Sequence, residues 1–276
     1  MGFEEDLSFE QVDELVAILY KLYGFDFRRY TKSSLKRRIL HVCDRNKWDV
    51  FTLKNNLINN PTYAEIFLCE LTVVVSEMFR DPYVFKAIKE QVFPFLETFP
   101  NFKIWSAACA NGEEAYSIAI MLHESHLLNK SILYGTDINN KSIQDAKDGR
   151  FPARNYTLYE QNYQEFGGIQ SFANYFDKVD EPTQLRISSN FRSKTVFFNH
   201  NLVGDSVFNE FQFILCRNVF IYFEQDLQQL VLEKLYESLC PFGFLCIGNR
   251  ESLKFNDIAS RFKEIDKRAR IYQRID

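Results

Sequence analysis

The chain has 276 residues, of which 46% are hydrophobic and 25% are charged, as is ordinary for a soluble globular protein of one large or two modest domains. Its apolar runs are shorter than the roughly 18 residues that a membrane-spanning helix needs, and its acidic N-terminal residues predict no signal peptide. The six cysteines form no C-x-x-C pair, so we expect reduced thiols, a cytoplasmic location and no metal site.

The first 80 residues are predicted to form a small helical domain. Apolar residues keep helical spacing over residues 9–23, and Gly24 ends that helix. A second helix is expected to begin near residues 33–34. Shorter helices are expected over residues 51–58 and 63–71.

Positive charge is concentrated in one part of this helical domain. Between Asp26 and Lys47, eight basic residues stand against two acids, a local charge of +6 in a chain whose net charge is −4. Such a surface can be a solvated helix face, or it can dock an acidic partner. We favour docking, and the side chains expected to make the contacts are Lys32, Lys36, Arg37 and Arg38.

The pattern of the chain changes near residue 80. Asp81-Pro82 predicts the start of a linker helix over residues 81–100, with Asp as N-cap and Pro at the first helical position. Strand-like runs then alternate with helices, which predicts a doubly wound α/β sheet over residues 101–276. The expected strands are Phe102–Ala107, Ile132–Thr136, Thr195–His200, Phe211–Cys216 and Phe244–Gly248, and the expected helices lie near 113–127, 139–147 and 225–239.

The polar stretch 176–198 interrupts this alternation. It contains two short extended pieces, Gln184–Ile187 and Lys194–Phe198, on either side of Ser188-Ser189-Asn190. We therefore predict a small β-hairpin inserted into the α/β domain.

Ligands of doubly wound sheets bind beyond the carboxyl ends of the strands. The first strand runs into a loop of small residues, from Ala107 to Gly112, which would let a ligand approach the backbone. Glu113 and Glu114 open the next helix, where negative charge is favourable but would repel a pyrophosphate. These acids and the single glycine count against a dinucleotide and favour a positively charged cofactor such as S-adenosylmethionine. The loop alone can equally be a tight turn with solvated acids.

Two other strand ends carry polar residues that fit the same crevice. Asp137 follows the second strand and can accept hydrogen bonds from ribose hydroxyls, or it can cap the helix that follows. Arg217 and Asn218 end the fourth strand, and we expect both to face the crevice, because packing on the next helix does not explain this polar pair. Tyr222 lies one turn further on.

Five segments resemble, in their order and sequence, those of the chemotaxis receptor methyltransferases of the CheR type. They are Leu71–Pro82, Ile104–Ser117, Gly135–Asp137, Asn201-Leu202 and Phe213–Phe223. The resemblance implies a Rossmann-like class I methyltransferase domain that binds S-adenosylmethionine, behind a helical N-terminal domain. It also implies methylation of glutamates on the helical cytoplasmic part of a bacterial chemoreceptor. In some members the small β-subdomain, here near 176–198, holds a receptor's C-terminal tether peptide by strand addition.

The resemblance implies roles for single residues of the cofactor site. Glu113 or Glu114 would meet the amino acid part of the cofactor, and Asp137 would meet its ribose. Asn201-Leu202 would border the adenine. The other expected cofactor contacts are Ala107, Gly112 and Arg217.

By the same resemblance, Ser76 and Arg80 would reach the methionine end of the cofactor and the acceptor, with Asn218 and Tyr222 close to the methyl group. A glutamate with a pKa near 4.3 is already ionised at neutral pH, so the reaction needs no general base. We expect Arg80 to hold one carboxylate oxygen of the acceptor, although it can alternatively pair with Glu77. Tyr222 is expected to orient the methyl group or the acceptor.

The sequence departs from the family pattern at several positions. Val74 stands where the family often has Asn, and this loss of a polar group predicts weaker cofactor binding. Ser76 replaces a Thr, Asn111 a Thr and Ala115 a Pro, and Gly248–Glu251 differs from the usual Gly-His-Ser-Glu.

Three other functions fit parts of the sequence. A non-catalytic scaffold of the same family is one, and the presence of four residues argues against it: Arg80, Asp137, Asn218 and Tyr222. A nucleic-acid methyltransferase could use the basic segment, but the acidic overall charge and the absence of an Asn-Pro-Pro-Tyr type of motif at Asn218 argue against it. A dinucleotide dehydrogenase is disfavoured by the single loop glycine. We therefore expect no nucleic acid partner, and proximity to a membrane only through the receptor.

Overall fold

The computed structural model describes residues 7–72, 76–178, 181–253 and 257–276. Within these ranges the chain divides into two units, which are described separately. The N-terminal unit contains the residues up to 72 together with Tyr222–Leu230, and the larger unit contains residues 76–221 and Val231–Asp276. Val74, the departure expected to weaken cofactor binding, lies outside the described residues.

The N-terminal unit is helical, as the sequence predicts. Its helices are α1 (Phe9–Tyr23), α2 (Lys32–Asn46), α3 (Val50–Asn59) and α4 (Pro61–Leu71), and each begins within about two residues of the expected position. Ser8 and Gln11 form a capping box at the start of α1, and Gly24 ends this helix with a φ of 75°. The inner face of α1 is buried, whereas its terminal apolar residues Phe9 and Leu22 are about half exposed.

The larger unit alternates helices and strands. Its helices are α5 (Pro82–Gln91), α6 (Phe93–Glu97), α7 (Glu113–Glu124), α8 (Asn140–Asp148), α9 (Tyr156–Phe166) and α10 (Ser189–Arg192), and α11 (Gln225–Glu237) follows in the chain. Its strands are β1 (Phe102–Ala107), β2 (Ser131–Asp137), β3 (Arg150–Pro152), β4 (Phe176–Asp177), β5 (Gln184–Ile187), β6 (Thr195–Asn199), β7 (Phe211–Cys216), β8 (Leu239–Ile247), β9 (Phe262–Asp266) and β10 (Ile271–Arg274).

The main sheet of the described residues has the strand order β6-β2-β1-β7-β8-β10-β9. The strands from β6 to β8 are parallel, while β10 runs antiparallel to both β8 and β9. The chain adds strands outward from β1 in one direction and then outward from β7 in the other. The topological switch point therefore lies between β1 and β7, which end at Ala107 and Cys216.

The inserted β-subdomain differs from the expected hairpin. Strand β5 pairs antiparallel with β4 on one side and with β3 on the other, which gives a small three-stranded sheet. The second expected arm, Lys194–Phe198, is wrong as a hairpin strand, because Thr195–Asn199 is β6 and pairs parallel with β2. The polar residues expected to form the turn instead enter the short helix α10.

An aromatic cluster fills the core of the larger unit beside α7. The ring of Phe79 lies 5.1 to 5.3 Å from the rings of Phe85, Tyr163 and Phe166. All of these side chains are buried. Many of the phenylalanines thus build an aromatic-rich core, and this core packs the segment before α5 against the sheet domain.

Candidate active site

The loop between β1 and α7 has an uncommon backbone conformation at the switch point. Ala108 and Ala110 have φ values of 54° and 48°, and Gly112 has a φ of 91°. Left-handed backbone is unfavourable for residues with a Cβ, and it is concentrated at functional sites. The N–H of Cys109 donates to the carbonyl of Thr136 at 2.9 Å. The end of β2 therefore holds this strained loop where the sequence predicts that a ligand approaches.

Asp137, at the end of β2, is part of the same arrangement. Its Oδ2 accepts the N–H of Ala110 at 3.0 Å, and its Oδ1 accepts the N–H of Asn139 at 2.9 Å. A carboxylate can accept about four hydrogen bonds, and Asp137 is only half-buried, so it keeps acceptor capacity for hydroxyl groups. Burial raises the pKa of Asp137, and its backbone donors oppose this rise. The alternative reading of Asp137 as a helix cap is wrong, because Asn139 caps α8.

Glu114 belongs to a network of ion pairs. Its Oε1 accepts the hydroxyl of Ser106 at 2.8 Å, and its Oε2 lies 3.2 Å from Nη1 of Arg217. Nη2 of Arg217 pairs with Asp81 at 2.8 Å and donates to the carbonyl of Arg80 at 3.1 Å. The network therefore ties the end of β7 to the start of α7 and to the segment that carries Arg80.

Arg217 does not face the crevice in the way that the sequence led us to expect. Its side chain is only 2% exposed, and both terminal nitrogens of its guanidinium bond protein acceptors. The strand end is polar because three segments meet there through one cation. Direct contact between Arg217 and a cofactor remains a prediction.

Glu113 is buried more deeply than Glu114. Its Oε1 accepts the hydroxyl of Tyr159 at 3.2 Å, while its buried Oε2 has no hydrogen-bond partner among the described residues. Burial raises the pKa of Glu113 to about 7, against smaller opposing effects that include the nearby Ser76 side chain. A buried carboxyl with an unused acceptor atom is suited to a positively charged ligand group.

The segment that carries Arg80 is fixed on both sides of that residue. The N–H of Phe79 donates to the hydroxyl of Ser117 on α7 at 2.9 Å. Phe79 and Asp81 have φ values of 54° and 59°, so the backbone is strained before and after Arg80. Arg80 itself is half-buried. Its position is therefore set by α7 and by the bond from Arg217 to its carbonyl.

Asp81 precedes α5 as predicted, but it does not cap the helix through its side chain. Its carboxylate instead accepts from Arg217 and, at 3.3 Å, from Nδ2 of Asn249. Asn249 is one of the departures from the family pattern. It still supplies a polar contact to the segment before α5.

A buried carboxylate to which sequence reasoning assigned no role, Glu251, organises the chain after β7. Its Oε2 accepts the N–H of Asn218 at 3.2 Å and the N–H of Gly248, and its Oε1 accepts the N–H of Ile221 at 3.4 Å. A Cβ at Gly248 would lie 2.7 Å from the nitrogen of Asn218 and from Oε2 of Glu251, so only glycine fits there. These contacts hold Asn218 in a left-handed conformation with a φ of 63°.

Asn201 and Leu202 lie in a loop that follows β6, two strands away from β1 in the sheet. Oδ1 of Asn201 accepts the N–H of Val203 at 2.9 Å, and the N–H of Asn201 donates to Asp205 at 2.8 Å. Nζ of Lys234 donates to the carbonyls of Leu202, Val203 and Asp205 at 3.3, 2.7 and 2.8 Å. The loop is closed on itself and fixed to α11, and its role at the adenine remains a prediction.

The residues expected to dock a partner lie on α2 in the N-terminal unit. Lys32 pairs with Asp13 at 2.6 Å, and Nζ of Lys36 lies 5.5 Å from the centre of the Phe9 ring. Arg37 is exposed. The basic helix thus presents cations to solvent, although some of them already have neighbours of their own.

Tyr222 belongs to the N-terminal unit as well. The guanidinium carbon of Arg38 lies 5.3 Å from the centre of its ring, and its carbonyl accepts the N–H of Thr31 at 2.9 Å. The structure thus brings one expected docking residue into contact with one expected catalytic residue.

The contacts also show which functional candidates the sequence concealed. Tyr159 bonds Glu113 from 46 residues away, and no local pattern indicates that pairing. Lys234 lies on α11, where the sequence alone predicts an ordinary solvated lysine and not its bonds to the loop after β6. Glu251 had one available signal, because it matches the last residue of the Gly-His-Ser-Glu segment that is usual in the family.

Known proteins with similar sequences indicate the family. The family model described as "CheR methyltransferase, SAM binding domain" matches residues 74–271. The Pseudomonas putida protein Cher3, named as a methyltransferase, is 41% identical over 263 residues, which cover 94% of this chain and 95% of that protein. Chemotaxis protein methyltransferases from Listeria monocytogenes and Listeria innocua are 29% and 30% identical over 233 residues, which cover 83% of this chain and 85% of each relative.

Two solved methyltransferase structures have low similarity to this chain. One from Methanosarcina mazei has a TM-score of 0.31 and 12% identity, covering 56% of each chain. The glycopeptide N-methyltransferase MtfA in complex with sinefungin has a TM-score of 0.38 and 7% identity, covering 63% of this chain and 50% of that one. The assignment below rests on the family model and on the relatives in sequence.

A Rossmann-like α/β domain with acidic residues at its switch point, together with the family match, defines an S-adenosylmethionine-dependent methyltransferase. The chain belongs to the CheR methyltransferase family. The expectations about fold class, family, enzyme class and cofactor are confirmed. Among the described residues, no helix is both long enough and apolar enough to cross a membrane.

The residues at the switch point fit this cofactor. Oε2 of Glu113 is a buried acceptor without a donor, which suits the ammonium group, and Asp137 retains acceptor capacity for ribose hydroxyls. The small side chains from Ala107 to Gly112 leave little between a ligand and the loop backbone.

Proposed function

We propose that this enzyme methylates glutamate side chains on the helical cytoplasmic region of a bacterial chemoreceptor, and that the methyl esters serve chemotactic adaptation. The observation that carries the proposal is the placement of Arg80. Arg80 lies in a strained segment, and its carbonyl accepts a hydrogen bond from Arg217. Arg217 also pairs with Glu114 at the cofactor loop. The names of the Listeria relatives support the chemotactic setting.

The chemistry needs orientation more than acid or base catalysis. Bound S-adenosylmethionine supplies an electrophilic methyl group on a sulfonium. A glutamate carboxylate with an ordinary pKa near 4.3 is ionised at neutral pH, so one oxygen can attack directly while the C–S bond breaks and its electrons remain on sulfur. The protein must bring that oxygen to about 3–3.5 Å from the methyl carbon, in line with the C–S bond, and exclude water.

Arg80 is the residue that we assign to the acceptor. A guanidinium matches the two oxygens of a carboxylate, and the strained, doubly anchored backbone at Phe79 and Asp81 limits where this guanidinium can point. Attraction to the carboxylate declines as its charge is lost in the transition state. Arg80 therefore serves by orienting the acceptor, with Tyr222 assigned to the alignment of the methyl group or the acceptor.

The proposed cofactor contacts draw on the family resemblance and are supported by the geometry of the larger unit. Glu113 is assigned to the ammonium group because its Oε2 is unpartnered, whereas Glu114 is engaged by Ser106 and Arg217. Asp137 is assigned to the ribose. The other proposed contacts are Ser76, Ala107, Gly112, Asn201, Leu202 and Asn218.

The basic surface of α2 supports a receptor as the partner. Receptor helices that carry several glutamates are anionic, and exposed cations such as Arg37 would attract them. The small three-stranded sheet offers short edge strands, β3 and β4, to which a receptor's C-terminal peptide would add. The enzyme would then reach the membrane only through its receptor.

Transfer of labelled methyl groups tests the proposal. The purified protein is incubated with methyl-labelled S-adenosylmethionine and with membranes that carry the host chemoreceptors, and the receptors are separated before counting. We expect label on the receptor in the wild type and loss of that label in Arg80→Ala. Lys267→Ala, at an exposed cation in the turn between β9 and β10, is the control and should transfer as the wild type does.

The rival function is that of a family scaffold without catalysis. It predicts calorimetric binding of S-adenosylhomocysteine but no label on any receptor. That result would refute the enzymatic proposal while leaving the cofactor site intact.

A further inference from the structure

The chain around Tyr222 is hydrogen-bonded to the residues that lead into the basic helix α2. The N–H of Thr31 donates to the carbonyl of Tyr222 at 2.9 Å. An antiparallel bridge joins Tyr30 to Phe223, and their rings pack edge to face with their centres 4.9 Å apart. Thr31 is also the N-cap residue of α2. The backbone of Tyr222 is therefore fixed to the start of the helix that carries the expected docking residues.

The side chain of Tyr222 is in contact with the same helix. The guanidinium carbon of Arg38 lies 5.3 Å from the centre of the Tyr222 ring, within the distance of about 6 Å at which a cation is attracted to an aromatic face. Arg38 is half-buried. Burial lowers the pKa of Arg38, and interactions with Tyr222 act in the opposite direction. The ring thus compensates part of the cost of placing this cation away from water.

Arg37, the neighbour of Arg38 on α2, differs from it in exposure. It is exposed, whereas Arg38 is partly covered, and adjacent residues of a helix do not share a face. A long basic side chain in solvent can meet an acidic partner. A guanidinium held against a protein ring is less available for that purpose.

We propose that Arg38 is a positioning residue, which orients the Tyr222 ring for methyl transfer instead of binding the acidic surface of the receptor. The inference rests on the proposed function, because it requires Tyr222 to act on the methyl group or the acceptor. Orientation of that ring matters in the transition state, so loss of Arg38 lowers kcat. Loss of Arg37 weakens docking and raises KM.

Steady-state methylation of receptor-containing membranes separates the two roles. We expect Arg38→Ala to lower kcat about tenfold with KM within about twofold of wild type, since loss of the cation–π contact frees the Tyr222 ring to turn away. Arg37→Ala should raise KM about threefold or more at low salt, with kcat unchanged and the effect reduced at high salt. Arg38→Gln keeps much of the side chain's bulk. It should show the same loss of kcat, and it serves if Arg38→Ala fails to fold.

A double-mutant cycle adds a readout that a merely structural role would not move. In a Tyr222→Ala background, Arg38→Ala should have little further effect on kcat, because the two changes remove the same function. Additive losses, or an Arg38 variant that raises KM and leaves kcat unchanged, overturn the inference. Failure of the wild type to transfer any methyl group to receptor refutes instead the function on which the inference rests.

Discussion

The raised pKa of Glu113 predicts that cofactor affinity depends on pH in a range where most carboxylates are fully ionised. Only the ionised carboxylate attracts the ammonium group of S-adenosylhomocysteine. Burial raises the pKa of Glu113 to about 7, since the residue is 2% exposed, and hydrogen bonds from Tyr159 and Ser76 oppose this rise. Protonation therefore competes with binding as the pH falls through 7.

The magnitude follows from the fraction of Glu113 that is ionised. Roughly nine-tenths is ionised at about pH 8 and roughly one-tenth at about pH 6, so affinity should fall about tenfold between them, or about 1.4 kcal/mol. Isothermal titration calorimetry with S-adenosylhomocysteine from about pH 6 to pH 8 measures this directly. The Glu113→Gln variant should bind more weakly at about pH 8 and lose the pH slope.

Glu114→Gln is the matched control, since it alters the neighbouring carboxylate that Ser106 and Arg217 already engage. It should keep the pH slope of the wild type. A wild-type affinity that is flat over this range, or a slope that survives in Glu113→Gln, would refute the assignment of the ammonium to Glu113.

The same shift has a consequence for stability. A folded-state pKa of about 7, above the ordinary value of 4.5, means that the folded protein binds this proton more tightly than the unfolded chain does. Its contribution is most favourable below about pH 4.5 and is lost as the pH rises through 7, by about 3 kcal/mol in total. The Glu113→Gln variant has no carboxyl to ionise, so it does not lose this stability as the pH rises. Urea denaturation should therefore show the unfolding free energy of Glu113→Gln rising relative to wild type between about pH 4.5 and pH 7.

Three further substitutions test the packing around the site by urea denaturation and by methylation kinetics. Gly135→Ala places a Cβ 2.3 Å from the buried ring of Phe197 and should lower the unfolding free energy by about 1–3 kcal/mol, and an unchanged value would contradict that packing. Arg217→Met leaves two carboxylates without their cation and should cost about 3–5 kcal/mol, and a loss below about 1 kcal/mol would mean that the network contributes little. Glu251→Gln turns an amide group toward backbone N–H donors, which should lower the unfolding free energy by about 1–3 kcal/mol. It should also lower kcat more than it weakens binding of S-adenosylhomocysteine. A wild-type kcat would mean that Glu251 has no part in positioning Asn218.

The sequence was informative wherever a local pattern decides the structure. Helical spacing and caps gave α1 its limits at Phe9 and Tyr23, and alternating apolar runs gave β1 and β7 their observed bounds. Strand pairing was less accessible, because it depends on contacts distant in sequence. The extended run at 194–198 could serve a hairpin or the central sheet, and only the pairing with β2 decides for the sheet.

In the candidate site, too, local features could be predicted and contacts between distant residues could not. The acidic residues and the small-residue loop stand together in sequence, so their chemistry could be predicted before their geometry. Whether Arg217 faces a ligand or an ion pair depends on Asp81, which is 136 residues away. The different surroundings of Glu113 and Glu114 were likewise invisible, because a buried tyrosine engages one and an arginine the other.

The proposed methyl acceptor is a receptor glutamate, and the fate of the transferred methyl group tests this assignment. A purified cytoplasmic receptor fragment is methylated with the enzyme, digested and analysed by mass spectrometry before and after mild alkali, and the released label is measured as volatile methanol. We expect methyl additions on glutamate residues that alkali removes as methanol. Methyl groups that survive alkali, or that map to nitrogen-containing side chains, would contradict it.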